Sequence, residues 1–277
     1  MLQSYSAPIF IKPTLNQFNS KTKSKGGLIP EQGNGIQDLL HHRAGLIRHR
    51  TTLRQSRRRP PDQGHEARAI DLPSANDGSV LPAPTGEDDA KHIREAVLST
   101  LDSEMGPSDV VVMLHSYSGG KSTAVVGVLY LASFVLPLGE SNRRWLSAQD
   151  AMPEPFKSGV PGGYLPPIDP SFAAFIFNDI QSEELQAKYL AQMTRHSSDS
   201  YDGVVCYETW KDISSVSIIP ENDVIVPTPL QELMYEQSVA AGGKVRRVFV
   251  EGAGHCVNVS RPEFVAEELV KLAAASE

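Results

Sequence analysis

Apolar positions divide the chain into a polar leading segment and a body dense in predicted elements. In residues 1–63 Lys, Asn, Gln, Ser and Arg dominate, and Pro8, Pro13, Pro30, Pro60 and Pro61 interrupt any long element. A short helix through Ile36, Leu39, Leu40 and Leu46 is the one periodic stretch in it. Order is expected from Gly64 onward. Glu66 to Leu72 alternates and stops at Pro73, as a short strand does. Thr85 and Asp88 frame a capping box, and Ala90, Ile93, Val97 and Leu101 then recur at helical spacing up to Gly106. The run Val110 to Leu114 reads as a strand buried on both faces. A second apolar run, Ala124 to Leu136, contains Leu129-Tyr-Leu-Ala-Ser-Phe-Val and looks like the next strand. Only about nine residues separate it from the end of the Val110 strand, whereas a parallel crossover with its helix takes a dozen or more. Either the intervening helix is absent or this run is itself that helix.

Residues 138–212 are mixed. Pro153, Pro155, Pro161, Pro166, Pro167 and Pro170 mark irregular chain, and Ser182 starts a helix with Leu185, Tyr189, Leu190 and Met193 on its inner face. An insertion of this kind between core strands suits a lid that admits substrate and excludes water. Ile213 to Pro220 is the next core strand. Thr228 caps a helix with Pro229 at its first position and Gln231 closing the box, and Gly242-Gly243 ends it. Val245 to Val250 is the last strand. Ser260-Arg-Pro-Glu263 then caps a final helix with Phe264, Leu269 and Leu272 inward. The pattern as a whole is α/β.

Composition narrows the reading. At 277 residues with 40% apolar content, the chain holds one large domain or two small ones with a sizeable core. Cys206 and Cys256 give no disulfide framework, which favours a reducing compartment such as the cytoplasm. The acid-poor start, whose first acidic residue is Glu31, leaves an organelle transit peptide open. No apolar run reaches membrane-spanning length, so no membrane partner is expected. The net charge of −7 conceals an asymmetry: residues 1–69 hold 12 Lys and Arg against 4 Asp and Glu, and the rest holds 14 against 29. The Arg cluster of residues 48–59 has neither aromatic interleaving nor a fold motif around it, so a solvated segment is favoured over nucleic-acid binding.

Candidate chemistry centres on Asp109-Val-Val-Val-Met-Leu-His-Ser-Tyr-Ser-Gly-Gly120. A strand followed at once by small residues makes a tight turn that lifts a serine clear of the sheet beside backbone N–H groups. Ser116 and Ser118 both remain candidates: Ser118 has the smaller flanking positions, Ser116 and Gly120, while Ser116 has Leu114 and Ser118. Asp223 and His255 each follow an apparent strand, so the order nucleophile, acid, histidine brings the three to one rim of an open α/β sheet. Each has a plainer reading, a turn residue for Asp223 and an ordinary loop residue for His255. Glu221 is a rival acid, and Cys256 is expected to pack rather than react. In this scheme Ser116 attacks a carbonyl, His255 carries its proton, Asp223 fixes the imidazole tautomer, and the Tyr117 backbone N–H is an oxyanion donor. No metal-ligand spacing or phosphate loop is present: Gly119-Gly-Lys-Ser ends like one but has Leu114 where the first Gly belongs. No metal or organic cofactor is expected.

From Gly64 to Glu277 the chain resembles the single-domain α/β-hydrolases, a group similar to plant methyl esterases and hydroxynitrile lyases. The resemblance rests on Ala67-Arg-Ala-Ile-Asp-Leu-Pro-Ser, Asp109 to Gly120, Leu129-Tyr-Leu-Ala-Ser-Phe-Val-Leu-Pro, Phe177-Asn-Asp, Trp210-Lys-Asp-Ile, Asp223 to Pro227, Gly252-Ala-Gly-His255 and Ser260-Arg-Pro-Glu263. It favours Ser116 as the nucleophile. It implies an α/β-hydrolase fold over 64–277, a mostly parallel sheet with flanking helices and a small lid at about 138–212. It also implies hydrolysis of a small ester or related carbonyl compound. Two departures stand out: residues 1–63 show no equivalent of the family's first strand and oxyanion loop, and the helix after the nucleophile is shortened or absent. Two other functions are therefore weighed. One is a catalytically silent relative that binds a small molecule or partner. The other is a hydroxynitrile-lyase-like activity, with Lys157 and Lys188 as candidate lysines.

Overall fold

The computed structural model describes residues 7–13, 66–101, 108–116, 125–152, 157 and 160–275. Its centre is a six-stranded sheet: β1 (Ala7–Pro13), β2 (Glu66–Ile70), β4 (Ser108–His115), β5 (Val125–Leu131), β7 (Ser214–Pro220) and β8 (Val245–Val250), in the order β2-β1-β4-β5-β7-β8. The run from β4 through β8 is parallel, and β1 is antiparallel to both β2 and β4. A two-stranded ribbon, β3 (Ala75–Asn76) with β6 (Arg195–His196), stands apart from it.

The Val110 run behaves as its composition demands. Alternate residues of a strand face opposite ways. Val110, Val112 and Leu114 join a core cluster with α1 (Gly86–Leu101) and α6 (Thr228–Ala240), while Val111 and Met113 join a second cluster with α8 (Pro262–Ala274). Helices thus cover both faces, which is why this strand is apolar throughout. The later run is a strand rather than a helix. β5 lies parallel beside β4, and nine residues, 116–124, join the two. Gly127 in β5 is where α8 comes closest: a Cβ there would lie 2.8 Å from Leu272 Cγ.

Three expectations are corrected. Ala7–Pro13 supplies a strand between β2 and β4, so residues 1–63 do hold a sheet strand. Ile9, Phe10 and Ile11 carry ample strand propensity, and the surrounding prolines and polar residues masked it. On α4 (Glu183–Leu190), capped by the Ser182 side chain on Leu185 N, it is Gln186 that is buried, whereas Leu185 is 39% exposed. Gln186 faces inward because its amide satisfies the carbonyls of Phe177 and Ile180. Ser260 does not cap α8; its hydroxyl donates to Asp179 Oδ2 at 2.6 Å. The short helix expected around Ile36–Leu46 and the post-elbow segment 117–124 lie outside the described residues. The box at the start of α1 forms as read, with Thr85 N and Oγ1 donating to Asp88 Oδ2 at 2.8 and 2.9 Å. Among the described residues no helix is long and apolar enough to cross a membrane.

Residues 138–212 carry α2 (Asn142–Ala148), α3 (Ala173–Ile176), α4, β6 and α5 (Thr209–Asp212). A buried polar cluster ties this excursion to the body. Ser74 donates from its backbone N and its hydroxyl to the Asp89 carboxylate at 2.9 and 2.5 Å, and its hydroxyl lies 3.0 Å from His196 Nε2. Burial pushes Asp89 up to about 6 and His196 down to about 3.

Two outcomes follow. Gly127→Ala overpacks the β5–α8 contact and lowers unfolding stability by about 1–3 kcal/mol in urea titrations. Asp89 binds its proton more tightly folded than unfolded, so its contribution is fullest at low pH and is lost as the pH rises through about 6. The stability of the wild type relative to Asp89→Asn therefore falls as the pH rises from 4 to 6; a rising difference contradicts the assignment.

Candidate active site

The carboxyl ends of the parallel strands meet at one rim, and continuous backbone bonding holds that rim. Ser116 N donates to Leu131 O at 3.2 Å, and Ala132 N donates to Ile218 O at 3.0 Å, extending the β4, β5 and β7 pairings past the strand ends. Ser116 follows directly on β4 and has φ of +62°. A β-carbon in this left-handed region is strained at a cost of about 1–3 kcal/mol, and such strain concentrates at functional sites. The Ser116 carbonyl accepts from Phe134 N and Ser133 Oγ, so the strained residue is braced on both sides. Its hydroxyl is buried, and no hydrogen bond to it is formed within the described residues.

Asp223 lies in the turn after β7. Its Oδ1 accepts from Ile225 N at 2.8 Å and Val226 N at 3.0 Å, an Asx-type turn that uses up the local donors. Oδ2 accepts from Gln231 Nε2 at 2.8 Å and lies 2.9 Å from His255 Nδ1. A carboxylate only accepts, so Nδ1 carries a proton, and the tautomer that this bond selects presents Nε2 as the lone pair. That Nε2 is buried and has no hydrogen-bond partner within the described residues. Both side chains are at most 2% exposed, a setting in which the pairing is strong and leaving it unmade is costly.

Two further residues brace the Asp223–His255 pair, and the sequence pattern assigned neither to it. Gln231 was expected to close a capping box with Thr228. Instead it bridges Asp223 Oδ2 and Val226 O, while Thr228 Oγ1 donates to Pro220 O and Glu221 O. Spacing alone cannot separate a box glutamine from one that reaches back eight residues. His115 Nε2 donates to the His255 carbonyl at 3.1 Å, with the two rings 4.8 Å apart. Burial and the neighbouring His255 drive His115 down to about 3, so it stays neutral. Its position just before Ser116 was the available signal.

Of the predicted site residues, Asp223 and His255 are joined directly. Ser116 is on the same sheet rim with no hydrogen bond to the imidazole. Tyr117 and Ser118 lie outside the described residues. Glu221, the rival acid, is exposed and instead accepts from Gly252 N at 2.7 Å. Cys256 is buried in the core and Cys206 is an exposed free thiol. Lys157 and Lys188 are both exposed. Among the described residues no group of three or more His, Cys, Asp or Glu side chains could hold a metal ion.

Fold and rim together define a protein of the α/β-hydrolase type, and comparison with known proteins agrees. A model described as "Alpha/beta hydrolase family" matches residues 40–268. The chain belongs to the alpha/beta hydrolase family. "Probable hydrolase R7" of Phoma sp. (strain ATCC 20986 / MF5453) is 28% identical over 220 residues, covering 76% of this chain and 87% of that protein. "Alpha/beta hydrolase nvfD" of Aspergillus novofumigatus (strain IBT 16806) is 26% identical over 217 residues, covering 73% and 82%. Solved structures share the fold. A variant of tomato methylketone synthase I superposes with TM-score 0.54 at 16% identity, covering 76% of this chain and 87% of that one. Polyneuridine aldehyde esterase superposes with TM-score 0.51 at 16% identity, covering 74% and 87%.

Asp223→Ala strands the donors of Ile225, Val226, Gln231 and His255 in a buried site. At about 1–3 kcal/mol for a buried unsatisfied group, urea unfolding shows a loss of at least that size; an unchanged midpoint contradicts the hydrogen-bond assignment.

Proposed function

We propose that the protein is a serine hydrolase acting on a small ester or related carbonyl compound. The observation carrying this reading is the buried Asp223–His255 hydrogen bond, which leaves the imidazole lone pair unengaged on the same rim as a serine of left-handed backbone. In the proposed reaction His255 Nε2 takes the Ser116 hydroxyl proton as Oγ bonds to the substrate carbonyl carbon. The oxyanion that forms is received by the backbone N–H of Tyr117, the residue after the nucleophile. His255 then passes the proton to the departing alcohol, leaving Ser116 acylated. Water, deprotonated by the same nitrogen, attacks the acyl carbon; the bond from that carbon to Ser116 Oγ then breaks, His255 returns the proton to Oγ, and the acid leaves. Asp223 stays ionised throughout and steadies the imidazolium. Every proton moves between protein side chains, substrate and water, so the steps call on no metal or organic cofactor.

The catalytic unit in this reading is residues 64–277 with the strand Ala7–Pro13 added to its sheet, and residues 138–212 form the lid. The names of the curated relatives, both hydrolases, favour the same chemistry. A second reading, a silent relative that binds a small molecule, draws on the missing hydrogen bond between Ser116 and His255 and on the nine-residue link from β4 to β5. Apo sites commonly lack the first of these, which tightens only with substrate in place. A hydroxynitrile-lyase-like activity has less behind it, since both candidate lysines are exposed.

Incubation with a fluorophosphonate is expected to add one adduct, located on Ser116 by peptide mass spectrometry. Ser116→Ala is expected to remain folded, to take no label and to lose hydrolysis of p-nitrophenyl acetate by roughly 10⁶-fold, the loss typical of a triad serine. Labelling at another residue, or full turnover in Ser116→Ala, refutes the assignment.

A further inference from the structure

The four residues Ile176–Asp179 belong to the excursion, far in sequence from Asp223 and His255, yet they touch both loops that carry this pair. Asn178 Nδ2 donates to Asn222 O at 2.8 Å, one residue before Asp223. Asp179 Oδ2 accepts from Gly254 N at 2.8 Å, one residue before His255, and from Ser260 Oγ at 2.6 Å at the end of α7 (Val257–Ser260). Asp179 thus brackets the His255 loop at both ends with charge-assisted bonds, which are roughly twice as strong as neutral ones.

The fit is close. A Cβ on Gly254 would lie 1.9 Å from Asn178 Oδ1 and 3.0 Å from Asp179 Oδ1, so this position needs a glycine to let the two side chains approach its backbone. The segment is itself anchored. Phe177 is fully buried with its ring 5.7 Å from Tyr189 of α4, and Gln186 of α4 holds the carbonyls on either side of Asn178 and Asp179. A chain of contacts therefore runs from α4 through Asn178 and Asp179 to the acid loop and the histidine loop. Asp179 does not compete with Asp223 for the imidazole: His255 Nδ1 is bonded to Asp223, and Asp179 bonds the backbone instead.

We propose that Asp179 is a positioning residue that aims His255 by holding Gly254 and Ser260, with Asn178 doing the same for the Asp223 loop, so that the seating of the excursion sets the geometry of the acid–histidine pair. The consequence for turnover rests on the serine-hydrolase reading; the geometric claim does not. Misplacing a catalytic group by about 1 Å costs on the order of 10²-fold in rate.

The test uses the full chain and two readouts. Far-downfield proton NMR follows the His255 Nδ1–H, identified by its absence in His255→Gln, and the fluorophosphonate reaction gives a second-order labelling rate at Ser116. In Asp179→Ala the Nδ1–H resonance is expected to broaden or disappear through faster solvent exchange, and labelling to slow by about 10- to 10²-fold. Asp179→Asn, which keeps one acceptor oxygen, is expected to restore part of both, and Ser260→Ala to give a smaller loss in each. A merely structural residue would lower the melting temperature of the folded variant and leave the resonance sharp. If Asp179→Ala fails to fold, Asp179→Asn and Ser260→Ala decide the matter. An unchanged resonance and labelling rate in folded variants overturn the proposal. Should the wild type show the resonance and take no label, the hydrolase reading fails, and loss of the resonance in Asp179→Ala still establishes the tether.

Discussion

The hydrogen bond between Asp223 and His255 is the interaction around which the rest of the site is arranged. It is buried, and there a carboxylate left with a donor missing costs far more than on the surface. Three other donors, from Ile225, Val226 and Gln231, share the carboxylate with His255, so each of its oxygens accepts two hydrogen bonds. Together they fix the orientation of Asp223 before the imidazole is considered. The imidazole is then determined from two directions: Asp223 dictates its tautomer, and His115, the last residue of β4, donates to the His255 backbone carbonyl.

The sheet makes this possible at long sequence range. β4, β7 and β8 run parallel, so their carboxyl ends lie on one rim, and a residue just past each strand needs only a short loop to reach its neighbours. The apolar strands with helices on both faces make the rim stiff, and the backbone bonds at Ser116 and Ala132 carry that stiffness beyond the last ladder pair. Strain at Ser116 persists because the surroundings over-determine it.

Legibility in the sequence followed how local each determinant is. The Val110 strand, the α1 box and the places of Asp223 and His255 after their strands could be read because periodicity, capping spacing and strand-end position are local signals. Ala7–Pro13 could not, because a strand of seven residues with proline inside it and polar chain around it offers no more pattern than a loop. Gln231 and Leu185 were misread for a common reason: spacing places a residue on a helix face but does not say what waits opposite. In both cases a buried acceptor, the Asp223 carboxylate or the carbonyls of Phe177 and Ile180, drew a glutamine inward. Asn178 and Asp179 carried no pattern at all beyond a three-residue likeness, since their partners lie 44 to 81 positions away.

The proposed reaction requires the imidazole held by Asp223 to face the Ser116 hydroxyl. A crystal structure of the protein carrying a phosphonate adduct measures this directly. The expected result is a bond from phosphorus to Ser116 Oγ, with His255 Nε2 about 2.6–3.2 Å from an adduct oxygen or from Oγ. An adduct on another residue, or an imidazole turned away from Ser116 with its Asp223 bond broken, would contradict it.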